Sequence, residues 1–138
     1  MSQTLAIIKP DAYQRQLIGT ILDFILKQGF IIKALKMVNL TSEEARRFYA
    51  IHIGQPFFDG LIEFMTSGPC FPMVLEKDNA VQTFRKIIGV TDPAKAAKGS
   101  LRRLYAENTR KNIIHGSDSE ENAQKEIAFF FPLMEIME

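Results

Sequence analysis

The sequence predicts an α+β fold of the ferredoxin-like βαββαβ kind, a four-stranded antiparallel sheet with helices packed on one face. Three observations carry the prediction. Segments of strand length and segments of helical period follow one another as strand, helix, strand, helices, strand, helix, loop, helix, strand. The strand-like segments are spread from end to end, with helical ones between them. The 138 residues hold no repeat, low-complexity stretch or linker, which predicts a single domain over residues 1–138.

Taken in order, Thr4 to Lys9 is a short apolar run ended by Lys9-Pro10-Asp11, a strand running into a turn. Ile18, Ile21, Leu22 and Ile25 keep helical spacing, and Gly29 terminates that helix. Phe30 to Val38, interrupted only by Lys33 and Lys36, is the second strand. Thr41-Ser42-Glu43-Glu44 is a capping-box signature. The helix it opens aligns Ala45, Phe48, Tyr49 and His52. Pro56 to Ser67 is a further helix, broken by Ser67-Gly68-Pro69. Cys70 to Glu76 is the third strand, and Pro72 places it at a sheet edge or delays its start. Asp78 caps a helix with the stripe Val81, Phe84 and Ile88, closed by Gly89. Val90 to Lys111 is a connection long enough to be functional or partly helical. Ser117-Asp118-Ser119-Glu120-Glu121 carries two overlapping cap signals for a short helix through Glu126, and Ile127 to Phe131 is the last strand.

Apolar residues make up 46 % of the chain and charged ones 24 %, a globular composition. The lone Cys70 has no partner for an internal disulfide, which favours a reducing compartment and a buried, apolar role. The N-terminal MSQTLAIIKPDAY lacks the basic flank and long apolar run of a signal peptide. No segment approaches the ~18 apolar residues of a membrane span. The expected location is the cytoplasm. The net charge of +1 argues against a whole-protein field for nucleic acid. The distribution is uneven, however. Lys77 to Lys111 holds nine Lys/Arg against three acids, whereas Asn112 to Glu138 holds one lysine against six acids. The basic stretch is either a solvated face or a pocket for a multiply charged anion.

That stretch ends at NIIHGSDS, residues 112–119, which contains one of the two histidines. His52 and His115 have no ligand spacing to each other, and with one cysteine a zinc site would need carboxylates to complete it. A structural role and a nucleophilic role both stay open for His115. Gly116 removes bulk where a ligand could approach. The Ser117/Asp118 cap brings a helix end close by. Glu126 lies on that helix, where it could return toward the imidazole and fix its tautomer. The same pair would also satisfy a quiet structural histidine.

NIIHGSDS, together with KPD after the first strand, PFFDGL in the middle and SGP before the third strand, resembles the nucleoside diphosphate kinase family from Thr4 to about Phe131. The histidine motif is the specific one; the others support it by order and spacing. The resemblance implies that His115 takes the γ-phosphate of ATP or another nucleoside triphosphate and passes it to a nucleoside diphosphate. It implies Glu126 as the carboxylate that orients the ring and Ser117 as the hydroxyl behind that carboxylate. Lys9 matches the lysine near the transferring phosphate and ribose, Asn112 the amide that reads the ribose, and Tyr49 the phenol beside the histidine. Arg85, Thr91 and Arg102 match phosphate ligands, with His52 as a further contact. Phe57 and Leu61 match the wall on which the base stacks. Mg²⁺ is expected to arrive on the nucleotide phosphates. Arg103 and Arg110 match no family contact and are expected to face solvent.

The sequence departs from many members at Ala12, at Arg103-Leu104 and at Thr109, and it is expected to end soon after the last strand, without the long C-terminal extension of many animal members. The family implies a homo-oligomer, hexameric or, as in some bacterial members, tetrameric. The eleven phenylalanines and the run Phe129-Phe130-Phe131-Pro132-Leu133-Met134 exceed what one small sandwich need bury. Three rivals stand beside the kinase. A nucleotide sensor would keep the site without turnover. A nucleic-acid binder would use the basic stretch but lacks interleaved aromatics. A phosphorelay protein would need a receiver partner.

Overall fold

Four strands, β1 (Ser2–Ile8), β2 (Ile31–Leu35), β3 (Phe71–Lys77) and β4 (Ile114–Gly116), pair antiparallel in the order β2-β3-β1-β4 in the computed structural model, which describes residues 1–138. Between them run α1 (Pro10–Gln14), α2 (Ile18–Lys27), α3 (Ser42–Phe48), α4 (Phe58–Met65), α5 (Ala80–Ile88), α6 (Leu101–Tyr105) and α7 (Glu120–Phe130). This is the ferredoxin-like order. No helix is long and apolar enough to cross a membrane.

Helices cover both faces of the sheet rather than the single face expected. β1 shows why. Leu5 and Ile7 pack with Ala45, Ile62, Met65 and Phe130 on one side. Ala6 and Ile8 pack with Ile21, Ile25, Phe84, Ile88 and Ile114 on the other. Successive side chains point to opposite faces, so a strand covered on both reads as an unbroken apolar run. Cys70 is fully buried in the first of these cores.

The last strand is not Ile127 to Phe131. Those residues, up to Phe130, belong to α7, where Ala123, Ile127 and Phe130 are buried at helical spacing. A run of apolar residues fits a helix and a strand equally, and the three consecutive phenylalanines hide the period. The fourth strand is the histidine segment itself: Ile8 faces Ile114, Ile7 faces His115 and Ala6 faces Gly116.

Pro72 does not mark an edge, because β3 lies between β2 and β1. Nor does it delay the strand, which starts at Phe71; it leaves a gap in the ladder on the β2 side, between the Val38–Cys70 bridge and the Met73–Leu35 pair. Pairing with β2 begins at Met73–Leu35, and the Pro72 carbonyl accepts the Lys36 N–H just past the end of β2.

The capping box at Thr41/Glu44 is present with both of its hydrogen bonds. The other two cap assignments move by a residue or two. Asn79, in the left-handed conformation, replaces Asp78 ahead of α5. Ser119, accepting from the Asn122 N–H, replaces Ser117/Asp118 ahead of α7. The turn after Lys9 is the short helix α1, with Pro10 at its first position. The long connection contains α6, capped by Ser100.

Candidate active site

Strand alternation sets the site. Ile114 and Gly116 face α5, so His115 between them projects to the side of α3 and α7. Gly116 is required by packing rather than by ligand approach. A Cβ there would lie 2.9 Å from Phe84 Cδ2 and 3.1 Å from Ile88 Cδ1.

On its own side, His115 meets Glu126. The imidazole Nε2 lies 2.8 Å from Glu126 Oε1, and the Ser117 hydroxyl donates to the same oxygen at 2.7 Å. Ser117 is fully buried, and its oxygen also accepts the Leu5 N–H of β1. The carboxylate can only accept, so Nε2 carries the proton and Nδ1 keeps its lone pair. Nδ1 has no partner within the chain and is not sealed from the cleft. The ring packed edge-on against His115 is Phe48, at 5.6 Å between centroids. Tyr49 is the next residue. Its hydroxyl is buried without a partner, and burial pushes its pKa up. No sequence motif marks Phe48 as a site residue; the only signal for it is its place on the face that the helical spacing aligns.

Upstream of the strand the backbone makes a sharp bend. Ile113 has φ +67°, a region that branched side chains rarely enter. The Ile114 N–H donates to the Asn112 carbonyl across it at 2.8 Å, the geometry of a classic γ-turn. Such a conformation costs on the order of 1–3 kcal/mol and persists only where its surroundings hold it. Here the Lys9 N–H donates to the Ile113 carbonyl at 2.8 Å, and Asp11 Oδ2 accepts the Ile113 N–H at 3.2 Å.

The bend also places the polar floor. Lys9 Nζ donates to Asn112 Oδ1 at 2.8 Å, and Asn112 Nδ2 donates to the Thr109 carbonyl. Burial, then the nearby Arg102 charge, lower the Lys9 pKa to about 7, and Asp11 opposes them. Arg102 is clamped by two carbonyls, with Nη1 donating to Gly89 and Nη2 to Ile114. Burial and then Arg85 lower its pKa to about 10. Cations crowded this way into a poorly solvated wall favour an anion between them.

These groups share one cleft of about 1160 Å³. Every candidate site residue lines it except Ser117, which stands behind Glu126. Lys9, Arg102, Asn112 and His115 form the deep part. Arg85 and Thr91 are exposed along one rim. His52, Phe57 and Leu61 form the far wall, with His52 and Phe57 edge to face at 5.3 Å. Phe57 is 42 % exposed, an aromatic face left open to the cleft. Arg110 does not simply face solvent. It lines the cleft and lies across Gly60, where a Cβ would come within 2.5 Å of its Nη1. Arg103 is exposed and donates to the Ala94 carbonyl. No group of three or more His, Cys, Asp or Glu side chains is placed to hold a metal ion.

An α+β ferredoxin-like sandwich that carries a mainly basic cleft around a carboxylate-bound histidine defines a class, and comparison with known proteins gives it a name. The family model described as nucleoside diphosphate kinase matches residues 2–136. Relatives of that name from Chlorobaculum parvum and Prosthecochloris aestuarii are each 55 % identical, over 99 % and 95 % of this chain and 98 % and 93 % of their own. The Aquifex aeolicus enzyme superposes with a TM-score of 0.95 at 47 % identity, covering 99 % of both chains. The Halobacterium salinarum enzyme, solved in complex with CDP, also superposes at 0.95, with 40 % identity over 99 % of this chain and 91 % of its own. The chain belongs to the nucleoside diphosphate kinase family. It is an enzyme that moves phosphate between nucleoside triphosphates and diphosphates.

Proposed function

We propose that the transfer runs by a ping-pong route through a phosphohistidine on His115, with His115 Nδ1 as the attacking atom. The observation that carries this is the Glu126 carboxylate on Nε2, which leaves a lone pair on Nδ1 at the cleft. In the first half-reaction Nδ1 bonds to the γ-phosphorus. The bond to the β,γ-bridging oxygen breaks, and its electron pair leaves on the nucleoside diphosphate. The second half-reaction is the reverse, with a different diphosphate as acceptor. The imidazole stays protonated at Nε2, and Glu126 offsets the positive charge that builds on the ring.

The remaining residues position and neutralise. Lys9, Arg85, Thr91 and Arg102 meet the phosphates, with His52 as a further contact and Tyr49 beside the histidine. Phosphoryl transfer needs little beyond this placement and charge. The substrate is the Mg²⁺–nucleotide, the ion arriving on the phosphates and adding to the charge supplied by the chain. Asn112 keeps a second amide hydrogen and a second lone pair for the ribose hydroxyls. Phe57 and Leu61 offer stacking and apolar contact without a donor–acceptor code, which fits a broad range of bases. The working form is a homo-oligomer, hexamer or tetramer, acting on the nucleotide pool of the cytoplasm.

The test is incubation with Mg-ATP and no acceptor. The protein should gain one phosphate, acid-labile and alkali-stable, and His115→Ala should gain none. Glu126→Ala removes an orienting hydrogen bond worth roughly 1.5–3 kcal/mol, about ten- to a hundredfold in rate. It should label slowly while binding nucleotide nearly as well as the wild type. Label on His115→Ala, or full-speed labelling of Glu126→Ala, would overturn the assignment.

A further inference from the structure

Asp11 is buried behind the floor of the site, 4 % exposed, yet the transfer described above gives it no part. It is the second residue of α1, directly behind Lys9-Pro10. One carboxylate oxygen, Oδ2, accepts the Ile113 N–H at 3.2 Å. The other, Oδ1, is sealed from solvent without a partner. Ile113 is the only branched residue in the chain at positive φ, and it stands two positions before His115.

The two oxygens have different uses. A single neutral acceptor would satisfy the Ile113 N–H. A second oxygen, buried and unpaired, is a cost unless the charge itself is needed. The charge acts on Lys9, which holds the carbonyl of the same Ile113 whose N–H Asp11 holds; burial raises the Asp11 pKa, and the Lys9 charge is the first influence that opposes it. Around the Lys9 ammonium stand Arg102 of α6 and, across the cleft, Arg85 of α5 and the His115–Glu126 pair of β4 and α7. Burial and Arg102 both favour the neutral amine, while Asp11 favours the ammonium.

We propose that Asp11 is a positioning residue for the transfer, holding the Ile113 γ-turn that aims His115 and keeping Lys9 cationic before nucleotide arrives. The proposal rests on the reading of His115 as the phosphoryl carrier. The turn is held at three points: the Ile113 N–H by Asp11, the Ile113 carbonyl by Lys9, and the Ile114 N–H by Asn112. Only the first uses a side chain, so only that one can be removed by substitution. The two parts of the role can therefore be separated.

Asp11→Asn keeps an acceptor of the same shape and removes the charge; Asp11→Ala removes both. Three readouts are compared with wild type: single-turnover phosphorylation of His115 at saturating Mg-ATP, and the pH profiles of kcat/KM and of kcat. The kcat/KM profile reports groups of the free enzyme, and the kcat profile those of the nucleotide-bound enzyme. Asp11→Asn should phosphorylate His115 within about twofold of wild type, because the turn is intact and bound triphosphate recharges Lys9. Its KM should rise above neutral pH, and the alkaline limb of kcat/KM should move to lower pH while that of kcat hardly moves. Asp11→Ala should show the same shift and also phosphorylate about tenfold more slowly, since small misplacement of a reacting atom is expensive in rate.

An unmoved kcat/KM profile in Asp11→Asn would remove the charge role. Wild-type phosphorylation in Asp11→Ala, or equal rates in the two variants, would remove the positioning role. Wild-type protein that takes no label on His115 would overturn both this proposal and the reading beneath it. Labelled wild type with unaffected Asp11 variants would overturn this proposal alone.

Discussion

Lys9 shows how the site trades stability for binding. Its ammonium sits in a wall that lowers its pKa from 10.5 to about 7, with burial as the main cause. A lysine whose folded pKa falls below its unfolded one opposes folding wherever the unfolded lysine is charged, and stability rises with pH across the window in which only the unfolded chain holds the proton. The penalty is complete below about pH 7, where both states are charged and the folded one has lost its solvation. It is relieved as pH rises from there toward 10.5. A shift of this size corresponds to a few kcal/mol, about 1.4 kcal/mol per pKa unit. Lys9→Met fills the same space without a charge, although it leaves Asn112 Oδ1 without its donor. We expect Lys9→Met to melt higher than wild type at pH 6 and to lose much of that advantage at pH 9, on the way to losing all of it near 10.5, while phosphate transfer collapses at both. Thermal melts at the two pH values decide it. An advantage that is equal at both, or grows with pH, would show that Lys9 is not a desolvated cation in the folded chain.

At the scale of elements, what was legible followed from residue spacing, and what was missed followed from contacts distant in sequence. The capping box at Thr41 needs four neighbouring residues and is where the sequence places it. The stripe Val81, Phe84 and Ile88 likewise becomes the buried face of α5. β4 is three residues long, too short for a strand pattern, and it is a strand only because β1 pairs with it. The motif around His115 was therefore readable as chemistry before it was readable as structure. Gly116 illustrates the same limit, because its neighbours Phe84 and Ile88 lie on α5, about thirty positions earlier. The role of Gly116 can be tested. In Gly116→Ala the new methyl meets the Phe84 ring at 2.9 Å, so β4 or the ring must shift. Overpacking of this kind typically costs about 1–3 kcal/mol. Because His115 is the adjoining residue, phosphorylation should slow more than nucleotide affinity falls. Denaturant melts and single-turnover labelling measure the two effects. A variant of wild-type stability and rate would mean that the β4–α5 contact is slack and does not fix the nucleophile.

For the whole molecule, the two cores account for the strand and helix residues between the sheet faces, yet a band of apolar side chains stays outside. β2 is an edge strand, and Ile31, Leu35 and Met37 on or beside it are 45 %, 42 % and 52 % exposed. The C-terminal segment runs along the same edge. The Met137 N–H donates to the Lys33 carbonyl, and Glu135 pairs with Lys36 at 3.1 Å. That places Leu133 and Met134, 87 % and 93 % exposed, close to the strand. A band of exposed apolar side chains of this kind invites a partner or aggregation. The family resemblance makes a second copy of the chain the expected partner. A stable contact between copies would bury on the order of 1,200–2,000 Å² in total. We predict a mass by light scattering that is a whole multiple of the monomer, and a melting temperature that rises with protein concentration, as mass action requires. Paired charges on the band, Leu35→Glu with Met134→Glu, should lower the mass and remove the concentration dependence, while the His115–Glu126 geometry stays within one chain. Residual phosphorylation of His115 in the dissociated variant then separates assembly from chemistry. A wild-type monomer at working concentration would refute the assembly. An unchanged mass in the double variant would place the interface on another surface.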